Sequence, residues 1–123
     1  MQTFHTPDGF IFSIPIFAVL KDDTTNPDGT MNFAGVGNCT IRGHLSVCLF
    51  TDVDLAERHI KQFPNESGLG VGEFHNADHL IDFLEKVDAL GFQHTVFDPN
   101  AQAGGARAPQ FAETRDIIAG LRP

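Results

Sequence analysis

The sequence predicts a single α/β (or α+β) domain: a mixed β-sheet, antiparallel in its first half and crossed over in its second, with about three helices. Three observations carry this. A chain of 123 residues and 41% apolar content suits one core. Its first half alternates apolar runs with polar turns and has no helical spacing. Its second half alternates short apolar runs with amphipathic stretches, the rhythm of βαβα connections.

Pro7-Asp8-Gly9 closes a short lead with strong turn chemistry. Residues 10–20 are almost wholly apolar and rich in Phe, Ile and Val, which favours a strand. Pro15 has no N–H for a ladder, so this strand lies at a sheet edge or breaks in two. An uncovered edge here would favour a homo-oligomer. Residues 21–30 form a polar loop around Asn26-Pro27-Asp28-Gly29, and residues 32–39 make a return strand loosened by Gly35 and Gly37. Residues 43–50 are the clearest strand.

Thr51-Asp52-Val53-Asp54 has the form of a capping box, in which the Thr51 hydroxyl takes a backbone N–H and the acidic side chains suit the helix dipole. Val53, Ala56, Ile60 and Phe63 follow at helical spacing, and Pro64 stops the helix. Residues 69–74 read as a strand. Asn76 is the expected N-cap of a second helix, with a stripe of Leu80, Phe83, Leu84, Val87 and Leu90 that Gly91 ends. Residues 94–97 are a further strand and 99–110 a small-residue loop. Phe111, Thr114, Ile118 and Leu121 mark the last helix.

Residues 43–52, Gly43-His44-Leu45-Ser46-Val47-Cys48-Leu49-Phe50-Thr51-Asp52, with Ala56 in the helix that follows, resemble the strand-to-helix junction of the SseB-type N-terminal domain. The similarity runs through the second helix to Val96-Phe97-Asp98-Pro99-Asn100, where that family tends to have a strand ending in Asn-Pro-Gly. It covers about residues 43–100. It implies a small α/β module, often tied to secretion, stress or protein contacts, with no established catalytic residue to carry over.

Composition bears on function. A net charge of −8 disfavours gripping a phosphate backbone, so nucleic acid is not the expected partner. All 12 aromatic residues are Phe, which fills cores but lacks the polar handle of Tyr or Trp. Residues 51–88 hold nine acidic side chains against Arg58, Lys61 and Lys86. That imbalance makes the helices at 52–63 and 77–90 a candidate contact surface for a basic partner protein. No apolar run is long enough to span a membrane and no secretory leader is apparent, so a cytoplasmic location is expected.

Several constellations could carry chemistry. Asp52 and Asp98 follow strands, at the ends where ligand sites of parallel sheets gather, and Arg107 beside Gly104-Gly105 could hold an anion. Together they are the candidate ligand-binding residues of an alternative reading, a small enzyme or anion-ligand binder. Helix capping accounts for Asp52 without any activity. His75 and His79 have the i, i+4 spacing of a zinc pair. His75, however, precedes the N-cap, and no third ligand stands at a recognised spacing. Gly68-Leu69-Gly70-Val71-Gly72 lacks the following helix that a phosphate loop needs. Cys48, mid-strand, reads as a small buried hydrophobe, and a bridge to Cys39 requires that the two lie on paired strands. The expected function is therefore a non-enzymatic protein-binding or regulatory module without a cofactor.

Overall fold

Pro15 divides the apolar run, as its missing N–H requires, and the Ile14–Pro15 bond is cis. In the computed structural model, which describes residues 2–99 and 110–122, the chain runs β1 (Gln2–His5), β2 (Ile11–Ile14), β3 (Ile16–Lys21), β4 (Thr24–Thr25), β5 (Met31–Asn32), β6 (Gly35–Val36), β7 (Asn38–Ile41), β8 (His44–Leu49), α1 (Val53–Lys61), β9 (Leu69–Phe74), α2 (Ala77–Ala89), β10 (His94–Phe97), β11 (Gln110–Glu113) and α3 (Thr114–Leu121). The mixed α/β class is as expected. None of these helices is long and apolar enough to cross a membrane.

Two sheets meet at a fork. One has the strand order β11-β10-β8-β7 and the other β6-β3-β9. Phe17 and Phe50 join them through a pair of antiparallel backbone bonds of 2.8 Å each. Where β3 and β8 diverge, residues 35–41 fill the gap. Gly37 N–H donates to Val19 O at 2.7 Å, while Gly37 O accepts from Cys48 N–H at 3.0 Å. The segment thus begins as β6 against β3 and ends as β7 against β8. Arg42 and Gly43, with φ of 53° and 82°, turn the β7–β8 hairpin in two residues of positive φ, the geometry that matches strand twist.

One expectation is resolved here and another corrected. β3 is not an edge: β9 pairs along one side, and β6 with the Phe17–Phe50 bridge occupies the other. The 10–20 strand therefore breaks in two at Pro15, the second of the expected alternatives: its β3 half is covered on both sides, while its β2 half pairs with β1 alone among the described residues. The crossover also differs in route. β8 and β10 are parallel neighbours, but β9 between them in sequence crosses to the far side of β3.

This routing decides where the helices sit. Alternate β3 side chains point to opposite faces. Ile16, Ala18 and Leu20 join Val47, Leu49, Phe74 and Phe97 beneath Leu80, Phe83, Leu84 and Val87 of α2 and Ile117 and Leu121 of α3. Phe17 and Val19 join Cys48, Phe50 and Val96 beneath Ala56 of α1. Covered on both faces, β3 reads as a continuous apolar run.

Two helix ends also differ from the expected positions. α1 stops at Lys61, leaving Phe63 42% exposed, and its buried residues are Ala56 and His59. Phe111 belongs to β11 opposite Val96, so α3 begins only at Thr114.

Candidate functional site

The strand-end carboxylates are committed to the backbone. Asp52, not Thr51, is the N-cap of α1, its Oδ1 accepting from Asp54 N–H at 2.8 Å. Thr51 is turned elsewhere. Its N–H donates to Asp98 Oδ1 at 2.8 Å and its hydroxyl to Asp98 Oδ2 at 2.6 Å. Asp98 N–H donates to Leu49 O at 2.9 Å, so this one residue ties together the ends of the parallel pair β8 and β10. Arg107 and its glycines lie outside the described residues.

His75 and His79 do not converge. His75 Nε2 pairs with Glu73. His79 turns the other way, its Nε2 meeting the Asp28 carbonyl at 3.0 Å and its Nδ1 the Asn76 amide at 3.2 Å. A tautomer with the proton on Nε2 satisfies both contacts. His79 thereby docks the 26–30 turn onto α2, where Asn76 caps as expected by accepting from His79 N–H at 2.9 Å. In that turn the Thr30 hydroxyl and N–H donate to Asp28, which holds its carboxyl below the usual range. Among the described residues no group of three His, Cys, Asp or Glu side chains is placed to hold a metal ion.

The acidic helices do not form one surface. α1 and α2 cover opposite faces of the sheet. Much of the α2 charge is also met locally: Asp82 by Lys86 at 2.8 Å, Glu85 by Arg122 at 2.8 Å, and Asp88 more loosely by Arg115 at 3.7 Å.

A concave site does occur on the α1 side. A cleft of about 210 Å³ opens between the C-terminal turn of α1 and residues 35–38. Its apolar walls are Val19, Val36, Phe63 and Leu69, and its polar groups are Asn38, His59 and the Lys21–Glu66 pair. Lys21 Nζ donates to Glu66 Oε2 at 2.9 Å, and that bond and charge raise the lysine pKa. Asp22 lies against Gly68 and Asp23 against Gly70, which adds two exposed carboxylates near the Leu69 end. His59 is 6% exposed, its ring set between Phe50 and Phe63 at centroid distances of 5.5 and 5.2 Å. Burial pushes its pKa down, which favours the neutral imidazole.

On its other side His59 walls a second cavity of about 150 Å³, shared with Cys39, Gln62 and Pro99. Cys39 on β7 and Cys48 on β8 bring their sulfurs to 3.5 Å, both as free thiols. Both cavities fall below the ~300 Å³ at which pockets for drug-sized ligands begin, so each suits a side chain or a small reagent. A wider groove of about 450 Å³ runs between β1 and α3, lined by Thr3 to Pro7, Ala119, Gly120 and Arg122. Phe4, Pro7 and Ala119 give it apolar lining beside the polar Thr3, His5, Thr6 and Arg122.

Sequence reasoning missed His59 and left the thiol pair open. The hairpin turn at Arg42-Gly43 is the signal that sets the register and puts both sulfurs on one face. His59 falls three residues after Ala56, within the same helical stripe. Against known proteins, the chain matches no family model, and no curated protein matches it significantly.

Proposed function

We propose that this chain is a non-catalytic binding module that holds an extended peptide segment in the α1 cleft, one apolar side chain in the cleft and basic residues on either side. The observation that carries the proposal is the position of the cleft: it abuts residues 35–38 at the margin of the sheet. Gly37 is bonded to both β3 and β8, but on either side of it, among the described residues, β6 pairs only with β3 and β7 only with β8, which leaves their other sides for strand addition. Asn38 Nδ2 donates to Val36 O at 2.7 Å, a bond an incoming strand would replace. Asp22, Asp23 and the net charge of −8 support basic flanks and weigh against nucleic acid. The resemblance of residues 43–100 to the SseB-type domain supports a non-enzymatic role. Two free thiols suit the reducing, cytoplasmic compartment that belongs to the same proposal.

The test is a fluorescence-anisotropy titration with labelled ten-residue peptides carrying a central Leu between Lys residues. The expected result is saturable binding, weakened about ten-fold or more by Phe63→Ala and by added salt. Equal binding of peptides with Glu flanks, or an unchanged affinity in Phe63→Ala, would overturn the proposal.

A further inference from the structure

We propose that Cys39 and Cys48 form a reversible dithiol–disulfide couple, with Cys39 the attacking thiol, Cys48 the resolving thiol and a low-molecular-weight disulfide the oxidant. The inference rests on the geometry of the pair and is independent of the peptide cleft. The residues lie on paired strands, diagonal to one another, since Cys39 stands opposite Ser46 and Cys48 is two positions further along β8. Their sulfurs are 3.5 Å apart, and bonding at about 2.05 Å requires an approach of roughly 1.5 Å. β7 has no strand on its outer side among the described residues, which leaves it room to follow.

The two thiols are unequal. Cys48 is fully buried, whereas Cys39 is partly exposed and lines the 150 Å³ cavity. The Cys48 Sγ–H donates to Cys39 Sγ, a bond that favours the thiolate form of the outer sulfur. That bond brings the Cys39 pKa down to about 7 and pushes the Cys48 pKa up. The accessible group is therefore the nucleophile and the enclosed group stays protonated until needed.

With oxidised glutathione as the oxidant the chemistry balances in two exchanges. The Cys39 thiolate attacks one sulfur of the reagent, forming the Cys39–glutathione bond and breaking the reagent's own S–S bond. The departing glutathione thiolate takes a proton from solvent. Cys48 then loses its proton to solvent and attacks Cys39 Sγ, forming the Cys39–Cys48 bond, breaking the Cys39–glutathione bond and releasing the second glutathione thiolate, which takes a proton from solvent. Two protein thiols are oxidised to one disulfide, and one reagent disulfide is reduced to two thiols. Diagonal strand neighbours have Cα atoms about 7–8 Å apart, slightly beyond the usual span of a disulfide. The closed form is thus strained and readily reduced, which makes the couple reversible.

The test exposes the folded chain to oxidised glutathione, quenches with acid, and follows intact mass and free thiols. The expected product has lost both thiols together, retains no glutathione, is lighter by two hydrogens, and reverts with dithiothreitol. Cys48→Ser should stop at one stable glutathione adduct on Cys39, and Cys39→Ser should react at least about ten-fold more slowly than wild type. Circular dichroism checks that both variants are folded, and urea-unfolded protein supplies the reactivity of accessible thiols. Wild-type protein that keeps its adduct without closing would overturn the proposal. So would a Cys39→Ser variant as reactive as wild type, or thiols that react only in urea.

Discussion

Asp98→Ala separates a structural carboxylate from a ligand-binding one. Asp98 accepts two hydrogen bonds from Thr51, at 2.8 and 2.6 Å, and adopts a φ of 51°. A buried hydrogen bond to a charged group contributes about 1.5–3 kcal/mol. Thr51 is exposed and Asp98 half-buried, so about 1 kcal/mol for each bond is the appropriate scale. Alanine at positive φ adds about 1 kcal/mol of backbone strain, giving a loss of about 3 kcal/mol. For a chain of this size that is a fall of about 10 °C in Tm. Glycine relieves the strain but keeps neither bond, for about 2 kcal/mol. Asparagine tolerates the backbone and keeps one acceptor, for about 1 kcal/mol. The order Ala, Gly, Asn, from most to least destabilised, is the signature of the clamp. Urea denaturation followed by circular dichroism measures it, and a cycle with Thr51→Val should return a coupling of about 1 kcal/mol. A stability of Asp98→Ala within about 0.5 kcal/mol of wild type would refute the reasoning.

Three further outcomes are expected. Thr114→Val should cost about 2 kcal/mol in urea denaturation, because the Thr114 hydroxyl contacts both the Thr95 hydroxyl at 2.9 Å and the Phe92 carbonyl at 2.8 Å; a loss under about 0.5 kcal/mol contradicts it. Burial holds the His59 pKa below its usual 6.5, so the unfolded chain binds a proton that the folded chain refuses. Stability should therefore fall as pH drops below about 6.5 and stop falling below the folded pKa. His59→Phe should flatten that limb, and stability–pH curves parallel to wild type would contradict the assignment. Arg122→Ala should cost no more than about 1 kcal/mol, since its bridge to Glu85 is half-exposed and screened by salt; a thermal melt indicating a loss above about 2 kcal/mol contradicts this.

Local chemistry made much of the fold readable. Asn76 caps α2 where its side-chain type and the stripe after it say it should, and Pro15 interrupts the strand because it has no donor. What sequence could not supply was the sheet order. α1 and α2 are both amphipathic, and only the passage of β9 to the far side of β3 assigns them to opposite faces, which divides the acidic surface expected of the pair. Thr51 and Asp52 can each cap a helix. The choice falls to Asp52 because Asp98, 47 residues from Thr51, accepts from the Thr51 hydroxyl. β11 is short and weakly patterned, and its strand form follows from pairing with β10. The α1 cleft draws its walls from β3, residues 35–38, the end of α1 and Leu69, segments that no local motif connects.

The most direct measurement is an amide chemical-shift map of the labelled chain titrated with the Lys-flanked Leu peptide. The expected changes centre on residues 35–38, Lys21, His59, Phe63 and Leu69, with little effect on the outer side of α2 and α3. Changes concentrated on residues 78–88 would contradict the cleft and restore the acidic helix as the contact surface.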